Sequence, residues 1–162
     1  MYDYENNTKY EYKAEDALKI LEKSSEDPHT QVACIITDKD DYLVSIGVNS
    51  MPYRSNGLPW NREGNYLETK YPYVVHAEMN AIINSSESYY CLPEKAFITL
   101  FPCVDCLKLL LQAGITEIIY TKKSYPDKDF IKAAEILVEN TGIICREITD
   151  DDMIHSNYEL SS

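Results

Sequence analysis

Four side chains in two short runs constrain this chain more than any other feature. His76-Ala77-Glu78-Met79-Asn80 supplies an imidazole and a carboxylate, and Pro102-Cys103-Val104-Asp105-Cys106 supplies two thiols at C-x-x-C spacing. Two thiolates and a neutral imidazole offset the charge of a zinc ion and leave the fourth corner of a tetrahedron for water, which is the donor set of a catalytic site. A closed structural site needs a fourth protein ligand, and the other histidines, His29 and His155, stand in no paired motif. A redox C-x-x-C pair would leave His76 and Glu78 without a use. Zinc lowers the pKa of bound water from about 15.7 toward roughly 7, and Glu78, close to the ligands but not one of them, is the expected proton carrier.

The small and apolar residues Ala77, Met79, Ala81, Ile82 and Ile83 predict a short helix after His76, and Val104 to Gln112 predicts a second with Leu107, Leu110 and Leu111 on its buried side. Pro102 takes the opening position that proline favours in a helix, which sets Cys103 and Cys106 on one face of the first turn. Both helices then aim their N-termini at the metal, where unpaired N–H groups and the helix dipole favour thiolate over thiol. His76 and Glu78 reach the ion from the helix tip.

Elsewhere the pattern alternates. Ala14, Ala17, Leu18 and Leu21 predict an amphipathic helix from Lys13 to Lys23 that Asp27-Pro28 ends. Val32 to Thr37 and Tyr42 to Val48 read as a strand hairpin around Asp38-Lys39-Asp40-Asp41. Residues 49 to 73 are a long loop with three prolines, two glycines and Trp60, and a loop of that length in a compact domain is expected to be functional. Strands follow at Ala96 to Leu100 and Thr116 to Thr121, parallel because a helix joins them. Asp127 to Asn140 is a third long helix, with Phe130, Ala133, Ala134, Leu137 and Val138 inward and Gly142 as its stop, and Ile143 to Ile148 is the last strand. The expected fold is α/β: a three-layer α-β-α arrangement around a mixed five-stranded sheet. One domain spans 1–162, with 1–12 and 149–162 as flexible or oligomer-contact tails.

No apolar run approaches the roughly 20 residues of a membrane span, and the acidic start does not resemble a signal peptide, so no membrane partner is expected. Five cysteines, two of them assigned to metal and two in apolar strand-like runs, suit a reducing cytoplasm. The net charge of −12 argues against a nucleic acid polymer, whose phosphates would draw on many cations. It leaves room for one phosphate group. Between Met51 and Val74, Arg54, Arg62 and Lys70 outnumber Glu63 and Glu68, so the one mildly basic stretch immediately precedes the predicted catalytic helix.

H-x-E followed by P-C-x-x-C is the zinc signature of nucleobase deaminases, and a wider set of residues resembles the deoxycytidylate (dCMP) deaminases of the cytidine deaminase-like superfamily. The matching runs are Asp27-Pro28-x-Thr30-Gln31-Val32, Gly47-x-Asn49, Leu58-Pro59-Trp60, Thr69 through Ile82, Leu100-Phe101-Pro102-Cys103 and Gln112-Ala113-Gly114-Ile115. The resemblance implies a small-molecule nucleotide substrate and hydrolysis of a cyclic amidine C–N bond, dCMP to dUMP with ammonia release, feeding thymidylate synthesis. It implies one catalytic Zn²⁺ on His76, Cys103 and Cys106, with Glu78 as the proton shuttle. By position, the Ala77 N–H would hold the base O2, the Phe101 carbonyl would meet the 4-amino group, Asn49 would bind the sugar and Tyr125 would pack on base or sugar. Arg54, Arg62 and Lys70 are the candidates for the 5′-phosphate, since a buried dianion needs charge-assisted partners. The same chemistry on another cytosine nucleotide such as dCTP, or a non-catalytic nucleotide-binding regulatory homologue, is the alternative.

Many members of that family are hexamers switched by dCTP with Mg²⁺ and by dTTP, and carry G-Y-N-G where this chain has Gly47-Val48-Asn49-Ser50. A homo-oligomer, hexamer or dimer, is therefore expected, with Mg²⁺ present only alongside a triphosphate effector. Gly47, Asn49 and Ser50 mark the expected effector region, and Val48 and Ser50 depart from the regulated pattern in a way that weakens the expectation of allosteric control.

Overall fold

The computed structural model describes residues 10–85, 92–123 and 128–157. In chain order the elements are β1 (Tyr10–Lys13), α1 (Ala14–Glu22), β2 (Ala33–Thr37), β3 (Leu43–Val48), α2 (Ala77–Ser85), β4 (Lys95–Leu100), α3 (Val104–Gln112), β5 (Glu117–Lys122), α4 (Lys128–Thr141), β6 (Ile144–Glu147) and β7 (Met153–Ser156), with a 3₁₀ turn at Tyr66–Glu68 in the long loop. Five strands form one sheet in the order β3-β2-β4-β5-β6. The β2–β3 and β2–β4 pairs are antiparallel, and β4–β5 and β5–β6 are parallel, so the sheet is mixed as the pattern predicts.

Strand alternation divides the core into two layers. Cys34, Ile36, Ala96, Ile98 and Ile118 face α2, α3 and α4 through Ala77, Ala81, Leu107, Leu110 and Ala134. The opposite side chains, Ala33, Ile35, Phe97 and Ile119, meet Ala14, Ala17, Leu18 and Leu21 of α1. Helices therefore cover both faces, three on one and one on the other.

Three expectations need correction. The tails contain structure: β1 and β7 pair antiparallel, Tyr10 against Ser156 through Lys13 against Met153, in a second two-stranded sheet. Ile154 is fully buried in the α1 layer, and the Ala14 N–H donates to the Asp152 carbonyl at 2.8 Å. Strands of four residues that pair across most of the chain length leave no periodic signal of their own. Second, Ala133 is exposed on α4, whereas Ala134, Leu137 and Val138 turn inward as expected, joined by Ile131; the side chain of Phe130 lies outside the described residues. Third, Pro102 precedes the N-cap Cys103 of α3 and so sits outside the helix, not in its first turn.

The turn into β7 is held by Asp152. Its carboxylate accepts two hydrogen bonds from the Arg146 guanidinium, at 2.9 and 2.7 Å, and two from Thr149, at 2.7 Å from the N–H and 3.1 Å from the hydroxyl. The guanidinium hydrogen bonds, opposed by burial, hold the Asp152 carboxyl below its ordinary 3.8. A lowered folded value contributes stability that is present above the ordinary carboxylate range and is lost as pH falls through the folded value. Asp152→Asn is expected to lower stability by about 1–2 kcal/mol at pH 7 and to flatten the loss of stability below about pH 4, read by denaturant unfolding across pH.

Candidate metal centre and active site

The parallel β4-α3-β5 unit delivers Cys103 at the end of a short loop after β4, where it is the N-cap of α3 with extended backbone (φ −66°, ψ 162°). Cys106 follows inside the first helical turn. His76 immediately precedes α2 and its carbonyl accepts the Asn80 N–H at 3.1 Å, while Glu78 is the second residue of the helix. The two helix N-termini thus meet, as the sequence predicts.

His76 Nδ1 lies 3.6 Å from Cys103 Sγ and 3.3 Å from Cys106 Sγ, and the three donor atoms are all within 4.8 Å of one another. Tetrahedral zinc, with Zn–S near 2.3 Å and Zn–N near 2.0–2.1 Å, needs donors roughly 3.5–3.8 Å apart, so the cluster fits the ion. The set grades from the exposed His76 to the buried Cys106, which gives the site one open side. A hydrogen bond from the Cys106 thiol, working against burial and helped by His76, holds Cys103 down to about 4. Cys106 is pushed up by its hydrogen bond to Cys103, by burial and by the nearby charges of Glu78 and Cys103. A divalent cation removes that conflict because it stabilises both thiolates together. Glu78 is almost fully buried, and burial raises its carboxyl above the usual range.

The sequence candidates for substrate contacts divide. Ala77 and Phe101 are buried beside the ligands, and the Phe101 ring packs edge-on to Tyr120 at 5.2 Å with the Lys123 ammonium 4.8 Å from its centroid. Tyr125 lies outside the described residues. Asn49 is buried and its amide is fully engaged: Oδ1 accepts from the Ser25 hydroxyl at 2.7 Å and the Val32 N–H at 2.8 Å, and Nδ2 donates to Asp27 at 3.2 Å and the Thr30 carbonyl at 2.8 Å. Lys70 is also buried, with its ammonium on Asp27. Burial opposes ionisation of Asp27, but Lys70 and the N–H groups of His29 and Thr30 outweigh it and hold the carboxyl low. Lys70 therefore leaves the set of phosphate candidates, because its charge is spent inside the protein. Arg54 lies on the surface with φ +65°, its guanidinium 5.4 Å from the Tyr53 ring centroid. Arg62 lines an open cleft with His29, Asn61, Glu63 and Tyr71.

The expected effector residues hold structure as well. A Cβ on Gly47 would stand 2.3 Å from both the Ala77 carbonyl and the Ala81 nitrogen, so only glycine lets β3 meet the backbone of α2. Ser50 pairs with Val75 in an isolated antiparallel bridge just ahead of His76. Sequence reasoning missed the roles of Ser25, Asp27 and Lys70; Asp27-Pro28-x-Thr30 carried the available signal, an Asx-type turn start.

Removing one partner of a buried pair strands a charge, at a cost of about 3–5 kcal/mol. Lys70→Met is expected to destabilise by that amount, measured by urea unfolding. Cys103→Ala is expected to lose the bound metal, measured as zinc per chain by atomic absorption.

Comparison with known proteins gives the same assignment. Residues 7–122 match the family described as "Cytidine and deoxycytidylate deaminase zinc-binding region". Deoxycytidylate deaminase of Homo sapiens is 42% identical over 128 residues, covering 76% of this chain and 70% of the relative, and that of Mus musculus is 42% identical over 130 residues, covering 77% and 71%. The fold resembles a crystal structure of dCMP deaminase from the cyanophage S-TIM5 in complex with dCMP and dUMP, with TM-score 0.64 and 24% identity over 82% of this chain and 92% of that one. By motif, by donor geometry and by these matches, the chain belongs to the cytidine and deoxycytidylate deaminase zinc-binding family.

Proposed function

We propose that the protein hydrolyses dCMP to dUMP and ammonia. The observation that carries this reading is a buried, unligated carboxylate, Glu78, held against a His76–Cys103–Cys106 cluster of zinc dimensions. The identity to relatives named deoxycytidylate deaminase supports dCMP as the nucleotide. Bound zinc supplies Lewis-acid activation of water. Glu78 takes a proton from that water and delivers it to N3 of the cytosine as the water oxygen bonds to C4. It then passes the remaining hydroxyl proton to the amine, the C4–N4 bond breaks, and ammonia leaves.

The rest of the site orients the base. The Ala77 N–H at the tip of α2 is unpaired within the helix by position and suits the pyrimidine O2. The Phe101 carbonyl suits the 4-amino group, and Tyr125 the base or sugar. Asn49 acts on the sugar side, where its amide fixes the 25–31 segment. Arg62 is the favoured phosphate partner, because its cleft also carries His29, Asn61 and Tyr71, against the one carboxylate of Glu63, and Lys70 is committed elsewhere. Exposed Tyr66, Leu67 and Met79 supply apolar surface in keeping with a homo-oligomer. Thiolate ligands suit a reducing cytoplasm.

A deamination panel of dCMP, dCTP, deoxycytidine and single-stranded DNA tests the substrate, with dCMP expected to give by far the highest kcat/KM. Glu78→Gln is expected to keep one zinc per chain and to lower kcat by about 10²–10⁴-fold. Comparable turnover in that variant would reject the shuttle role, and release of ammonia from dCTP alone would reject the substrate.

A further inference from the structure

β3 is an outer strand of the sheet, so alternate residues along it turn their backbone polar groups away from β2. The register identifies them. Asn49 donates to the Val32 carbonyl, and the hydrogen-bonded set continues through Gly47 opposite Cys34 and Ser45 opposite Ile36. Val48 and Ile46 then face outward. Both of their carbonyls are taken by α2: Asn80 Nδ2 donates to Val48 O and Asn84 Nδ2 to Ile46 O, each at 2.8 Å. The match is geometric, because four helical residues rise about 6 Å and two strand residues about 6.7 Å. Ser45 adds a third tie, from its hydroxyl to the Ala81 carbonyl at 2.8 Å.

Asn80 differs from Asn84 in what its second hydrogen reaches. It goes to Ser50 Oγ at 3.1 Å, and Ser50 exchanges two backbone hydrogen bonds with Val75, at 3.0 and 2.8 Å. The run Val75 to Asn80, which contains His76, Ala77 and Glu78, is thereby fastened at both ends to the same short stretch, Val48 to Ser50. We infer that Asn80 is a positioning residue for the site. Its carboxamide, braced by the Ser50 hydroxyl, fixes the rotation of α2 about its axis and with it the directions in which His76 and Glu78 point. Asn84 closes the sheet edge one turn further from the cluster and carries stability without aim.

The kinetic arm of the test rests on the deaminase reading; the spectroscopic arm does not. Asn80→Leu, Asn84→Leu, Ser50→Ala and the Asn80→Leu/Ser50→Ala double variant are compared as zinc enzymes and after cobalt(II) substitution, whose visible bands report ligand geometry. Asn80→Leu is expected to lower kcat for dCMP by about 10–100-fold with KM within about threefold, since a misplacement of order 1 Å has that effect. It is also expected to shift the cobalt bands and to release zinc to a chelator on the order of tenfold faster. Asn84→Leu is expected to lose comparable stability with kcat within about twofold and an unchanged cobalt spectrum, because its contact sets the strand edge and not the helix tip. Ser50→Ala is expected to shift the bands in the same sense as Asn80→Leu, more weakly, and to add nothing in the double variant. If Asn80→Leu fails to fold, Ser50→Ala alone decides through its spectrum. Wild-type bands and kcat in Asn80→Leu, or losses in Asn80→Leu and Asn84→Leu that track stability alike, would overturn the inference. If the unaltered protein does not deaminate dCMP, the deaminase reading fails and the cobalt comparison still decides this one.

Discussion

Two thiols and an imidazole must converge within a few ångströms although they come from segments nearly thirty positions apart, and the rest of the structure is arranged around that requirement. The sheet supplies the solution. β4 runs beside β2 and delivers Cys103 at its end, while β3 and the loop after it bring the chain back to His76. The parallel β4–β5 pair, joined through α3, fixes where Cys106 follows. Neither ligand segment builds the cluster alone, so the donors meet only when both halves of the sheet are in register.

That dependence accounts for the polar groups committed inside the protein. The long loop before His76 has little periodicity with which to bury itself, and Lys70 ties it to Asp27, which with Ser25 and Thr30 also holds Asn49. Such a network is costly to desolvate and is compensated only when every member is partnered. Here each of the named side chains has its partners, so the loop, the start of β2 and the end of β3 behave as one rigid piece.

Much of this was legible in the sequence, for identifiable reasons. Val104–Gln112 is a helix over the expected residues because its leucines recur at helical spacing, and the zinc donors announce themselves through chemistry that few other arrangements use. The five-stranded mixed sheet follows from apolar runs alternating with amphipathic ones. What escaped was non-local: the pairing of β1 with β7, whose strands are too short to show a period, and the burial of Lys70, a residue type that normally stays in water. Asn49 illustrates the boundary. Its type and place fit both a ligand contact and a turn, and it is the folded chain that reveals an amide with all four hydrogen-bonding positions occupied.

The small β1–β7 ribbon has a consequence for how the chain could be rewired. Tyr10 and Ser156 are register partners, and the ribbon lies in the α1 layer, across the sheet from the helices that carry the zinc donors. Antiparallel neighbours of this kind stand only about 5 Å apart, so joining Tyr10 to Ser156 by a short bridge and opening the chain between the exposed Lys39 and Asp40 would preserve the described layers. The linear order of the elements is thus separable from the architecture, and a circularly permuted gene could encode the same catalyst.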